Sequence, residues 1–157
     1  MSSASATRRA AALATGLVAG LLVAGCLGPG VVAVAPPSPG LDVSSACGRL
    51  VRALPMVLAG GSARRTSPKS PYVRAWGDPP LVVRCGVPIP AGLRPTSQLV
   101  VVDGVQWYVE QHSHGVTYTT VGRAANVEVA VPDDHQQATA PLAQLAGQVQ
   151  RILPSTG

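Results

Sequence analysis

A chain of 157 residues with twelve basic and seven acidic side chains has room for one domain once an export segment is set aside. The basic residues are almost all arginine and are scattered, with Arg64-Arg65 the one adjacent pair beyond Arg8-Arg9. Nucleic-acid binding needs a clustered basic face interleaved with aromatics, so nucleic acid is excluded as a partner. Aromatics reduce to Trp76, Trp107, Tyr72, Tyr108 and Tyr118, with no phenylalanine, so valine, leucine and alanine must fill the core.

The chain opens on a leader. Arg8-Arg9 precede an uncharged apolar run from Ala10 to Gly25 that ends in Leu22-Val23-Ala24-Gly25-Cys26. A positive n-region, a short apolar run and small residues before a cleavage point make a secretory signal. Val-Ala-Gly before Cys also fits a lipobox, in which Cys26 carries lipid and becomes the new N-terminus. The alternative is an uncleaved signal anchor, since Val31 to Ala35 is apolar as well. Gly28-Pro29-Gly30 interrupts that longer run, and a bilayer span needs about 20 apolar residues. Either reading places the folded part outside the cytoplasmic membrane, attached through an N-terminal lipid or helix. Residues 1–26 are thus expected as leader, 27–41 as a stiff Pro/Gly-rich linker around Pro36-Pro37-Ser38-Pro39-Gly40, and 42–157 as the extracytoplasmic domain.

Lipid on Cys26 leaves Cys47 and Cys85 as a pair, in a compartment where disulfides persist. Two free buried cysteines are the alternative.

Asp42 or Ser44 is positioned to cap a first helix carrying Ala46, Cys47, Leu50, Val51 and Leu54 on one face, ended by Pro55. Gly60 to Ser70 reads as a solvated loop whose Arg64, Arg65 and Lys69 are suited to anionic headgroups. Gly77-Asp78-Pro79-Pro80 is a chain reversal. Trp76 before it is expected to lie over the core, with a ligand-stacking wall as the sharper reading. Leu81–Cys85 follows as a β-branched strand, stopped by Gly86 and Pro88. Residues 98–102 and 105–111 form a hairpin across Asp103-Gly104, with Trp107 facing the core. Two further strands are expected over 116–121 and 126–131, the second with Glu128 outward. Thr139 and Pro141 open a last helix with an apolar stripe at Leu142, Leu145, Ala146, Val149, Ile152 and Leu153. The order predicts an α+β fold: a two-layer sandwich, mainly antiparallel, of about five strands with the N- and C-terminal helices on one face.

Chemistry is thin along the chain. No Gly-x-Ser-x-Gly elbow, paired carboxylates or phosphate-cradling glycine loop occurs, so no catalytic residue and no cofactor is expected. His112 and His114 have metal-like spacing beside Glu110, with His135 as a third ligand only if the fold brings loops together. They fall at an expected hairpin turn, which favours solvated imidazoles. Arg84 and Arg123, on or beside strands, are candidate ligand contacts together with Trp76, Asp78 and Trp107; bracing of a loop carbonyl or carboxylate is the commoner use of such arginines.

The run Ala75-Trp76-Gly77-Asp78-Pro79-Pro80-Leu81-Val82-Val83-Arg84-Cys85-Gly86 resembles the domain of unknown function 3515 family of exported actinobacterial proteins. Cys47 with Leu50 and Leu54-Pro55, Val102-Asp103-Gly104-Val105-x-Trp107, Thr120-Val121-x-Arg123, Val129-x-Val131-Pro132 and Thr139-Ala140-Pro141-Leu142 extend the likeness over Ser45 to Pro154. The resemblance implies a membrane-anchored or lipoprotein exterior domain with two recurring cysteines. It implies no activity, and His112 and His114 belong to none of its motifs. The expected role is a tethered, non-enzymatic envelope module that binds a partner protein or a cell-wall component. A small metal-binding or hydrolytic protein using His112, His114 and His135 is the alternative.

Overall fold

The computed structural model describes residues 30–134 and 139–156. In chain order the elements are β1 (Val31–Ala33), α1 (Leu41–Ala53), β2 (Val57–Leu58), β3 (Gly61–Ser67), β4 (Val73–Trp76), β5 (Leu81–Cys85), β6 (Val100–Val102), β7 (Val105–His112), β8 (Gly115–Val121), β9 (Val127–Pro132) and α2 (Ala140–Ile152). The strands build one sheet in the order β1-β3-β4-β5-β9-β8-β7-β6, with β2 also on β3. All pairings are antiparallel except β1 with β3. The fold is α+β as expected, but with nine strands among the described residues rather than about five.

The four additional strands lie where composition hides them. Gly61–Ser67, expected as a solvated loop, has no apolar alternation; pairing with β4 on one side and β1 and β2 on the other makes it a strand. The expected cation cluster is dispersed as a result. Arg64 is turned onto Gly77, Arg65 is exposed on the strand, and Lys69 lies beyond the strand's far end. Trp76 ends β4, opposite Leu81, directly before the reversal.

From Gly30 onward, the stretch expected to act as a linker is built into the body. Val31–Ala33 pairs with Arg65–Ser67, the Val34 amide donates to Ser67 O at 3.0 Å, and Arg84 Nη1 donates to Ala35 O at 3.4 Å. Pro39 then packs so closely on Gly86, whose φ is +89°, that a Cβ there would collide with the proline ring. Glycine meets both demands, the left-handed backbone and the missing side chain.

α1 begins at Leu41 behind an N-cap at Gly40 that has no side-chain cap hydrogen bond. The expected capping residues lie inside it: Asp42 in the first turn, and Ser44, whose Oγ donates back to Leu41 O. At its other end the helix gives way at Leu54, extended before Pro55 as expected, and Arg74 Nη1 caps it by donating to Val51 O and Leu54 O at 3.3 and 2.9 Å. Those carbonyls are among the four a helix leaves unpaired at its C-terminus. The β6–β7 turn has positive φ at both Asp103 (45°) and Gly104 (75°), the two-residue geometry that suits the twist of the strands.

α1 packs on β5, α2 on β6 and β7, and the helices touch each other. Strand alternation sends Leu81, Val83, Val127, Val129 and Val131 into the core with Trp76, Trp107 and Tyr118. The helix stripes close it with Leu50, Val51, Leu142, Leu145 and Val149. At its centre Cys47 is bonded to Cys85, across 38 residues of chain, with both sulfurs fully buried. This disulfide pins α1 to β5.

Candidate functional site

Cross-strand partners share a sheet face, so register alone places Arg84, Glu128, Thr119 and Tyr108 in one row across β5, β9, β8 and β7. Val82, Ala130, Thr117 and Glu110 form the next row. This is the second face of the sheet, opposite Val83, Val129 and Trp107. It is assembled from small, hydroxylated and singly charged side chains.

At the centre of that face Arg84 and Glu128 meet as two planar groups. Nε donates to Oε1 at 2.7 Å and Nη2 to Oε2 at 2.8 Å, a bidentate pair with Glu128 only 16% exposed. The third nitrogen is taken by Ala35 O. Arg84 therefore offers little free donor capacity to an anion. Arg123 is committed in the same way, with Nη2 on Gly104 O at 3.0 Å and Nη1 on Leu153 O at 3.5 Å. It ties the β6–β7 turn to the end of α2.

Trp76 and Trp107, considered as ligand walls, are both 0% exposed, and neither ring presents a face to solvent. Trp76 is a core lid held by its Nε1 on Pro55 O at 3.0 Å, with the Arg74 guanidinium 5.8 Å from the ring centre. Trp107 faces the core as expected, and its Nε1 lacks a hydrogen-bond partner. Asp78 is exposed on the β4–β5 turn, 3.3 Å from Arg64 Nη1.

An open recess of about 320 Å³ lies at one end of the second face, lined by Pro80, His112, His114, Thr117, Ala130 and Pro132 among others. His112 and His114 are exposed at the β7–β8 hairpin. Among the described residues no three of His, Cys, Asp or Glu come together to hold a metal ion. His135, the third imidazole of that idea, and Cys26, the lipid acceptor, lie outside the described residues.

Sequence reasoning singled out Arg84 but not its partner. The available signal was that Arg84 and Glu128 are lone charges at outward positions of otherwise apolar strands. It also missed Arg74 as the cap of α1 and Arg64 as the clasp of the β4–β5 turn.

A family model described as "Protein of unknown function (DUF3515)" matches residues 10–157. The chain belongs to this DUF3515 family. The two cysteines on which the resemblance drew are the bonded pair of the core. The turn of its longest motif is the β4–β5 reversal clasped by Arg64. No curated protein matches the chain, and no solved structure matches it. Among the described residues no helix is long and apolar enough to cross a membrane.

Proposed function

We propose that this DUF3515 protein works on the outer side of the cytoplasmic membrane as a tethered, non-enzymatic module that binds an envelope protein or a cell-wall component. The observation that carries the reading is the Cys47–Cys85 disulfide at the centre of the core. Such a bond persists in oxidising, extracytoplasmic surroundings and is rare where thiols are kept reduced. It agrees with an apolar leader that ends at Leu22-Val23-Ala24-Gly25-Cys26. On this reading the body is a two-layer sandwich whose helices cover one face, and contact falls to the exposed parts of the other, since Thr119 in its middle is buried and Gly92 lies against Tyr108. Arg84 and Glu128 on that face, and Arg123 at the β6–β7 turn, are spent on internal partners and are not free for acid–base work.

The test follows the chain through the cell. The full chain is expected in the membrane fraction, labelled by a fatty-acid probe, with Cys47 linked to Cys85 in a non-reducing peptide map. Cys26→Ala should abolish the label; retention in the membrane without it identifies the leader as a helical anchor. A full chain recovered from cytosol with both core thiols free overturns the proposal. Intact-cell crosslinking that finds no reproducible envelope contact removes the binding role.

A further inference from the structure

The point at which the chain leaves the body fixes which end faces the membrane. Gly30 O accepts from Arg64 Nε at 3.4 Å, and the same guanidinium holds Gly77 O at 2.8 Å beside Asp78. The leader therefore joins the body at the end that carries the β4–β5 turn. From Gly30 onward the chain has no slack: β1 is paired to β3, Val34 is bonded to Ser67, and Pro39 is seated on Gly86.

Four Cα-to-Cα steps lead from Cys26 to Gly30. Fully extended they reach about 14 Å, at no more than about 3.6 Å each. β7 alone, with eight residues, runs about 27 Å at about 3.4 Å per residue. The tether is thus shorter than the body is long, and the far end is kept from the bilayer. An uncleaved anchor ending near Gly25 gives the same exit and the same limit.

Two large apolar side chains stand out at this exit end among exposed polar ones. Met56 and Val57 are 67% and 55% exposed. They are fixed there by Met56 O accepting from the Ala63 amide and by Val57 pairing with Ser62 on β3. Charges of both signs lie beside them: Arg74 Nη2 donates to Met56 Sδ at 2.8 Å, and Arg65, Asp78, Asp133 and Asp134 are exposed. A lipid surface fits this pattern through its apolar side chains rather than through charge. The opposite end carries Leu41 and Ile89, 96% and 71% exposed.

We infer that the Met56–Val57 end of the body rests against the lipid surface and that the Leu41–Ile89 end points away from it. This rests on the tethered reading above, and the experiment separates the two. The lipidated full chain, as Met56→Cys, Val57→Cys or Ile89→Cys, is labelled with an environment-sensitive fluorophore. The core cysteines are buried in their disulfide and do not compete for the label. Each protein is reconstituted into phosphatidylcholine–phosphatidylglycerol vesicles containing a quencher-bearing lipid, and flotation is run on the same samples.

The expected result is flotation of all three, with a blue shift and several-fold stronger quenching at positions 56 and 57 than at 89, little changed by salt. Flotation with quenching equal at the three positions, strongest at 89, or absent at all of them overturns the orientation while the tether stands. Failure to float removes the tether, and the orientation falls with it.

Discussion

Between Arg84 and Glu128 two charges satisfy each other on a face whose neighbouring positions are Val82, Ala130, Thr117, Thr119, Tyr108 and Glu110. Each is less than one-third exposed, so removing one partner leaves the other poorly solvated. Glu128→Gln is expected to lower the unfolding free energy by about 1–2 kcal/mol in urea titrations. Replacing both by apolar residues should cost less than the two single changes added together. Additivity would show that the pair is not coupled. Tyr118 makes a different residue-scale statement. It is 5% exposed, and burial raises its phenol pKa above the ordinary 10.0. The folded state then holds its proton more tightly than the unfolded state does. That contribution is present below pH 10.0 and is lost as pH rises through the higher folded value. Urea midpoints on either side of pH 10.0 should fall with pH, less steeply in Tyr118→Phe. An identical slope in the variant would assign the alkaline loss to other groups.

At the scale of elements, the α1–β5 staple is the strongest single constraint. Closing a loop across 38 residues stabilises the fold by about 4 kcal/mol in the chain-entropy view. A Cys47→Ala/Cys85→Ala chain should lose about that much, read as a fall in urea midpoint. In the intact protein the bond is fully buried, so a mild thiol reductant should act only after local opening. Sub-denaturing urea is expected to speed reduction; a rate independent of urea would place the sulfurs within reach of solvent. Both cysteines were legible as a pair, and so were α2, β5 and the β6–β9 run, because apolar periodicity and turn residues state them locally. β3 was not legible. Gly-Ser-Ala-Arg-Arg-Thr-Ser carries no strand signal, and its conformation is imposed by β4, β1 and β2. β1 was hidden in the apolar sequence after the leader, where Val-Val-Ala reads equally as part of an anchor. The candidate site fared similarly. Arg84 and Arg123 announce themselves as arginines on or beside strands. Their acceptors lie 44 and 30 residues away for Glu128 and Leu153, a relation only the folded topology supplies.

At the scale of the whole molecule, the decisive question is where the body begins. Residues 31–40 look like spacer by composition, yet they close the β3 edge, bury Val32 to 8% exposure and supply the carbonyl that takes the third nitrogen of Arg84. Removing them would leave β3 unpaired over Arg65–Ser67, and an open strand edge invites association with other chains. Two truncations separate spacer from structure. A chain starting at Gly30 keeps β1 and should match the unfolding midpoint of the full chain. A chain starting at Leu41 loses the buried valine and its ladder hydrogen bonds, and should be less stable by at least about 3 kcal/mol. It should also self-associate in sedimentation experiments at concentrations where the longer chain stays monodisperse. Equal midpoints for the two would return residues 31–40 to the role of a stalk. That result would also lengthen the tether enough for either end of the body to reach the bilayer, so the boundary of the fold and its orientation on the membrane stand or fall on the same measurement.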